Sequence, residues 1–387
     1  MHARPTTICC SAGALLAACT VIICAQSTKG DSGPPSPFPV RTVWTLRLNN
    51  PLAAAPAYDA ASAFFPITGD RIAAYELGAG ARKWVVSARL HTDPVAGNGL
   101  LFVVEPDAIT ALGVDTGKIA WQLPFAEQLA VRPVCDRGWL VVATKAGAIL
   151  ALRSRDGSLT WRREIDSPAH ALPALAADRV YVPTADGRVV ALEAASGMPI
   201  WERRLGGAAN EILALEDRLY VGAKDNYLYC LMVKDGVVDW RWRTGGDVIG
   251  VPIADERRVY FVALDNMLRA LHRTSGVQQW MRPLPLRPST GPVRAGGAIV
   301  VAGVAPTLRA YNINDGAPAG EFAAPGEIAA PPHLLPDPAG ALPRLLVVTR
   351  DIATGATATL ITRDIEPQIA PIAPLPNAVE VTPRTKN

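Results

Sequence analysis

The stretch Arg179-Val-Tyr-Val-Pro-Thr-Ala-Asp-Gly-Arg-Val-Val-Ala-Leu-Glu-Ala-Ala-Ser-Gly-Met-Pro-Ile-Trp201 decides the fold. It holds two short apolar runs rich in β-branched residues, separated by Ala185-Asp-Gly187, a turn that tolerates positive φ. A second, Gly-containing turn follows, and then a strand that carries Trp201. Strand, tight turn, strand, Gly turn, strand is antiparallel β-structure built from segments of four to six residues.

The unit repeats along the chain. Trp occurs at 44, 84, 121, 161, 201, 240 and 280, at intervals of 40, 37, 40, 40, 39 and 40. A fixed period near 40 residues marks a repeat architecture. Six of these Trp follow a Gly by four positions (Gly80, Gly117, Gly157, Gly197, Gly236 and Gly276). A less regular strand leads into each unit around a Pro, as in Arg132-Pro-Val134 and Val251-Pro-Ile253. No window sustains a helical period. Four short antiparallel strands per repeat make a propeller blade.

The span 43–365 accommodates eight such units. Two later ones are degenerate: Leu308-Arg-Ala-Tyr311 keeps the hairpin, with Gly320 where Trp would fall, and Leu345-Val348 with Ala358-Thr362 gives strands without Trp. Trp44 has no hairpin before it. Its strand is expected to complete the C-terminal blade, leaving no sheet edge open. The fold expected is all-β: an eight-bladed β-propeller of four-stranded antiparallel blades, closed by an N-terminal strand joining the C-terminal blade. Trp44, Trp84, Trp121, Trp161, Trp201, Trp240 and Trp280 are expected to dock blades to one another, since a functional ring would not recur in every unit. Trp139 and Trp242 fall off this register and read as an extra strand or rim aromatics.

Composition removes several function classes. Among 387 residues, 38 basic against 35 acidic leave a net charge of +3, far from the basic footprint of a nucleic-acid binder. The 49% hydrophobic content excludes a disordered chain. His91, His170, His272 and His333 are isolated, without zinc-ligand spacing. There is no nucleophile elbow, P-loop or EF-hand loop. Asp186, Asp225 and Asp265 recur at one turn and read as turn formers. The pairs Arg162-Arg163, Arg203-Arg204 and Arg257-Arg258 each lie near an acid and read as solvated strand ends.

Residues 1–25 read as an export leader, with Arg4 ahead of an apolar run from Ile8 to Ala18. Leu16-Ala-Ala-Cys19 resembles a bacterial lipobox, which would make Cys19 the lipidated residue; cleavage near Ala25 or a signal anchor running through Ile23 stay open. Residues 26–42 have the composition of a Pro/Gly/Ser tether, and 366–387 form a Pro-rich tail. Only Cys135 and Cys230 lie in the body, and they read as separate thiols.

The pattern Ala-x-x-x-x-x-Gly-x-x-x-Trp, as in Ala111-Leu-Gly-Val-Asp-Thr-Gly-Lys-Ile-Ala-Trp121, resembles the tryptophan-docking repeat of pyrroloquinoline-quinone (PQQ) propellers. Ala stands at 74, 111, 151, 191 and 270, with Cys230 replacing it once. Length and leader resemble the BamB-like outer-membrane lipoprotein branch of that family. The resemblance implies a monomeric, non-enzymatic scaffold without cofactor, anchored by lipid to the periplasmic face of the outer membrane or soluble in the periplasm. It also implies a protein partner, such as a barrel-assembly protein. In that branch a Leu/Arg cluster on one inter-blade loop and aspartates on the next bind the partner. By blade count these loops correspond to Arg203–Gly207 and Gly245–Ile249, where Leu205 and Asp247 match and Gly206 stands in place of Arg. The alternatives are a PQQ-dependent dehydrogenase, which would need PQQ and calcium, and a carbohydrate-binding propeller using Trp139 or Trp242.

Overall fold

A computed structural model describes residues 35–336, 342–351 and 355–364. Its strands form eight separate antiparallel sheets, the eight blades expected from the Trp period. Blades 1 to 7 span 57–87, 95–124, 134–164, 174–204, 209–243, 248–283 and 293–323. Blade 4 is representative, with strands Ala174–Ala176, Arg179–Pro183, Arg188–Glu193 and Pro199–Arg204 in sequence order from the axis outward. Blade 8 joins Arg344–Asp351 and Gly355–Arg363 to the N-terminal strand Val40–Arg47, which pairs Trp44 with Leu360. Its inner strand is interrupted: Glu327–Ile328 and His333–Leu335 both pair with Arg344–Asp351. Pro331 and Pro332 separate them and have no N–H to donate.

The second and third strands of each blade are buried on both faces, between neighbouring sheets, which is why their sequences run apolar without alternation. Outer strands alternate instead, as in Pro199–Arg204. Just past each Ala–Trp pair the ladder slips: Ala191 faces Trp201, Leu192 faces Pro199, and Ile200 is extra. The same bulge recurs in blades 1 to 7. Bulges twist the strand locally and re-aim its side chains.

Each of the seven periodic Trp crosses to the next blade. Every indole N–H donates to a backbone carbonyl there, at 2.8 to 3.3 Å; Trp161 to Ala194 O is typical. The receiving turn carries the periodic Gly. Gly197 has φ of +69°, and a Cβ on it would lie 2.5 Å from the Trp161 ring. That position therefore excludes a side chain on two grounds, conformation and space.

Blade 7 has no Trp to offer blade 8, and Phe38 takes the slot from the other side. Phe38 is 5% exposed within the cluster shared by blades 7 and 8, and a Cβ on Gly320 would meet its Cβ at 2.6 Å. Gly297 N–H also donates to Pro35 O at 3.0 Å. The stretch 26–42 is thus packed from its described part onward rather than free as its composition suggested. Proline density hid one anchoring ring.

Candidate functional site

Strand direction alternates within a blade, so the inter-blade loops share one end of the ring with the turns joining second and third strands. At that end an acidic turn residue clamps the loop beside it. Asp265 accepts from Gly245 N–H at 2.8 Å and pairs with Arg269 in a largely buried ion pair. Burial alone would raise the Asp265 carboxyl, but Arg269 and the backbone N–H groups outweigh it and hold it below the usual range. Asp225 accepts from the Tyr229 hydroxyl, which in turn lies 3.4 Å from Gly206 N. Asp186 accepts from Thr184 and Arg188. These carboxylates do more than form turns: two of them fasten the loops that precede blades 5 and 6.

The two loop residues expected to meet a partner differ in access. Leu205 is 8% exposed and packs into the cluster between blades 4 and 5, with its N–H on Gly187 O at 2.7 Å. Its side chain faces the core, so it offers no contact surface in this fold. Asp247 is part-exposed and lines the mouth of an axial cavity. Gly206 departs from arginine for a reason visible next door, because a Cβ there would overlap the Asp225 carboxylate.

Two cavities lie along the axis. One, of about 510 Å³, is lined by Pro56, Tyr58, Asp93, Pro94, Arg132 and His333, among others. The second, of about 630 Å³, is lined by Arg132, Glu211, Lys224, Asp247 and Ser289, among others. Arg132 and Pro331 belong to both. Calcium with a quinone would need six to eight hard oxygen ligands gathered at one point. Asp93 lines the first cavity and Glu211 and Asp247 the second, and no three His, Cys, Asp or Glu side chains converge among the described residues. The donor set does not fit that pair of groups.

The off-register Trp have a repeat position after all. Trp139 opens the second strand of blade 3, where blades 4, 5 and 6 have Arg179, Arg218 and Arg258. Trp242 stands two residues past Trp240, where blades 3, 4 and 6 have Arg163, Arg203 and Arg282, whose Nε–H groups donate to a carbonyl of the next blade. Both Trp are partly buried against inter-blade clusters. They are neither an extra strand nor free rim platforms. The Arg pairs divide the same way: Arg163 and Arg203 reach the next blade, while Arg162 pairs with Glu127 and Glu164. Cys135 and Cys230 are free thiols. Cys19, the leader and the tail from 366 lie outside the described residues.

Sequence reasoning missed the stack of Tyr58 on His333, whose centroids are 4.1 Å apart at 10°. Neither residue carries a motif. Their nearness follows only from aligning the strands that lead into each blade.

A family model described as outer membrane protein assembly factor BamB matches residues 41–132, 107–216 and 209–326. Outer membrane protein assembly factor BamB of Yersinia pestis is 29% identical over 97 residues, 24% of this chain and 25% of that protein. The match thus spans about a quarter of that relative's length. The crystal structure of BamB from Moraxella catarrhalis superposes with a TM-score of 0.67 at 19% identity, covering 84% of this chain and 99% of that one. A quinohemoprotein alcohol dehydrogenase from Pseudomonas putida gives 0.64 at 13% identity, covering 87% and 78%. At these identities the superpositions speak to the fold alone.

Proposed function

The chain belongs to the family described as outer membrane protein assembly factor BamB, and from that premise we propose that it is a non-enzymatic propeller scaffold of the cell envelope. Its partner is a protein, and its work is to hold that partner in a fixed orientation. The observation that carries this reading is the clamped loop at Gly245–Asp247, fixed by Asp265 and presenting a part-exposed carboxylate at the axial mouth. Loops fixed on a rigid scaffold bind at a low ordering cost. The dispersed axial carboxylates, which supply no calcium cage, favour a binding role over quinone chemistry. The reading extends to an exported chain lipidated at Cys19, with a barrel-assembly protein as partner.

Crosslinking in native membranes followed by mass spectrometry tests the partner. Recovery of a barrel-assembly protein, reduced in Asp247→Arg, is expected; equal recovery with that variant would refute the loop assignment. Leu205→Asp is a poor probe, because it perturbs the core first. Incubation with PQQ and calcium tests the enzymatic alternative, and a stoichiometric quinone absorbance would overturn the scaffold reading. Mass spectrometry of the mature N-terminus tests lipidation of Cys19.

A further inference from the structure

Arg132 is the axial residue whose surroundings the fold leaves unexplained. Several buried or half-buried arginines of the ring have a carboxylate: Arg188 has Asp186 and Glu202, Arg218 has Asp239, and Arg269 has Asp265. Arg132 forms no ion pair among the described residues, and its one hydrogen bond there is a long contact of 3.5 Å to Pro133 O. Burial lowers its basicity, and Asp93 at longer range only partly offsets that. A half-buried guanidinium that faces a cavity and has no ion pair is free to meet an anion there.

Tyr58 lines the same cavity with its ring. The Tyr58 hydroxyl is sealed from water and has no hydrogen-bond partner. Its ring is held flat against His333, and burial pushes that imidazole down to about 4 despite nearby Asp59, so it is neutral at physiological pH. The carboxylates on hand are already engaged. Asp93 accepts from Ala55 N–H at 2.9 Å, and Asp59 from Ala61 and Ser62 N–H at 2.8 and 2.6 Å. The remaining wall is largely proline, alanine and valine. A concave, mainly apolar space with a few convergent polar groups is how small-molecule sites are built.

We propose that the 510 Å³ axial cavity binds a small amphipathic carboxylate, its anionic end on Arg132 and its apolar body against Pro56, Pro94, Pro331 and Pro332. The Tyr58 ring, its hydroxyl turned into the protein, forms part of the wall. The site needs neither metal nor redox chemistry, and it stands independently of the scaffold reading. Its position on the axis makes it a feature of the closed ring, since blades 1, 2 and 8 and the loop before blade 3 each supply a wall.

Calorimetric titration of the full chain tests the site, with benzoate and hexanoate as probes and benzamide as the neutral isostere. Saturable 1:1 binding of at least one acid is expected, with benzamide weaker by about tenfold or more. Arg132→Gln should weaken the acid by at least about tenfold and, unlike the loss of a structural arginine, should raise the urea midpoint. Tyr58→Phe, which keeps the ring in the wall, should leave acid binding unchanged. Three results would each overturn the proposal: no saturable acid binding up to about 10 mM, equal binding of acid and amide, or unchanged acid binding in Arg132→Gln. A lowered urea midpoint in Arg132→Gln would do so too, by assigning the guanidinium to the fold.

Discussion

Removing the ring of Phe38 should weaken the whole propeller about as much as removing one of its docking tryptophans. Phe38 is 5% exposed and fills the blade 7–8 junction, where Gly320 leaves room for no other ring. Truncating a buried Phe to Ala costs about 3–5 kcal/mol, the lost transfer energy plus the cavity left behind. At about 1.4 kcal/mol per tenfold, the unfolded-to-folded ratio then rises by roughly two to three and a half powers of ten. Equilibrium urea unfolding followed by tryptophan emission reads this directly, because all seven periodic indoles are docked in the folded ring. Phe38→Ala should lower the midpoint at unchanged slope. Trp161→Ala, at 8% exposure, sets the scale. Val43→Ala, in the same segment but 41% exposed, should stay within about 0.5 kcal/mol of wild type. A loss below about 1 kcal/mol in Phe38→Ala would refute the reasoning, since a buried ring in a shared core cannot be that dispensable.

Acid should expose the Tyr58–His333 stack. The folded imidazole titrates at about 4 against 6.5 for the unfolded group, so between those values only the unfolded chain binds the proton. Stability should be complete above about pH 6.5 and fall toward pH 4, by at most about 3 kcal/mol and less where water reaches the ring; His333→Phe should flatten that slope in pH-dependent urea melts. Arg269→Met strands a buried carboxylate, and should cost about 3–5 kcal/mol at neutral pH. Because Asp265 is held below its usual range, the wild-type contribution is present above the unfolded carboxyl pKa and lost as pH falls through the folded one, so the two melting curves should converge in acid. Gly206→Arg should lose about 1–3 kcal/mol by overpacking, and thermal melts should show part of it restored when Asp225 is also shortened to Gly.

The ring was legible because one physical demand repeats. In blades 1 to 6 a small residue stands opposite the Trp and a bare Gly of the next blade receives it, so the set Ala191, Trp201 and Gly236 has counterparts from blade 1 to blade 6, with Cys230 for Ala once. Blade closure was legible for the complementary reason, that Trp44 lacked the hairpin every other Trp has. Side-chain direction in the loops was not. Leu205 looks like a surface leucine beside two glycines, yet its side chain packs into the cluster between blades 4 and 5. The axial residues were harder still. Tyr58 and His333 lie on inner strands of blades 1 and 8 and Arg132 on the loop before blade 3, and nothing local in their sequences shows that they converge. Phe38 was hidden by composition, since a single aromatic among prolines reads as linker until Gly320 is seen to need it.

The pairing of Trp44 with Leu360 has a consequence for how the molecule is made. Blades 1 to 7 are assembled from strands that are near neighbours in the chain, so each can close its own sheet locally. Val40–Arg47 is synthesised before any of them, yet its ladder partner Gly355–Arg363 comes last. The first strand made therefore waits longest, and through that interval its hydrogen-bonding edge is open to other chains. Ring closure in turn certifies that synthesis has passed residue 363.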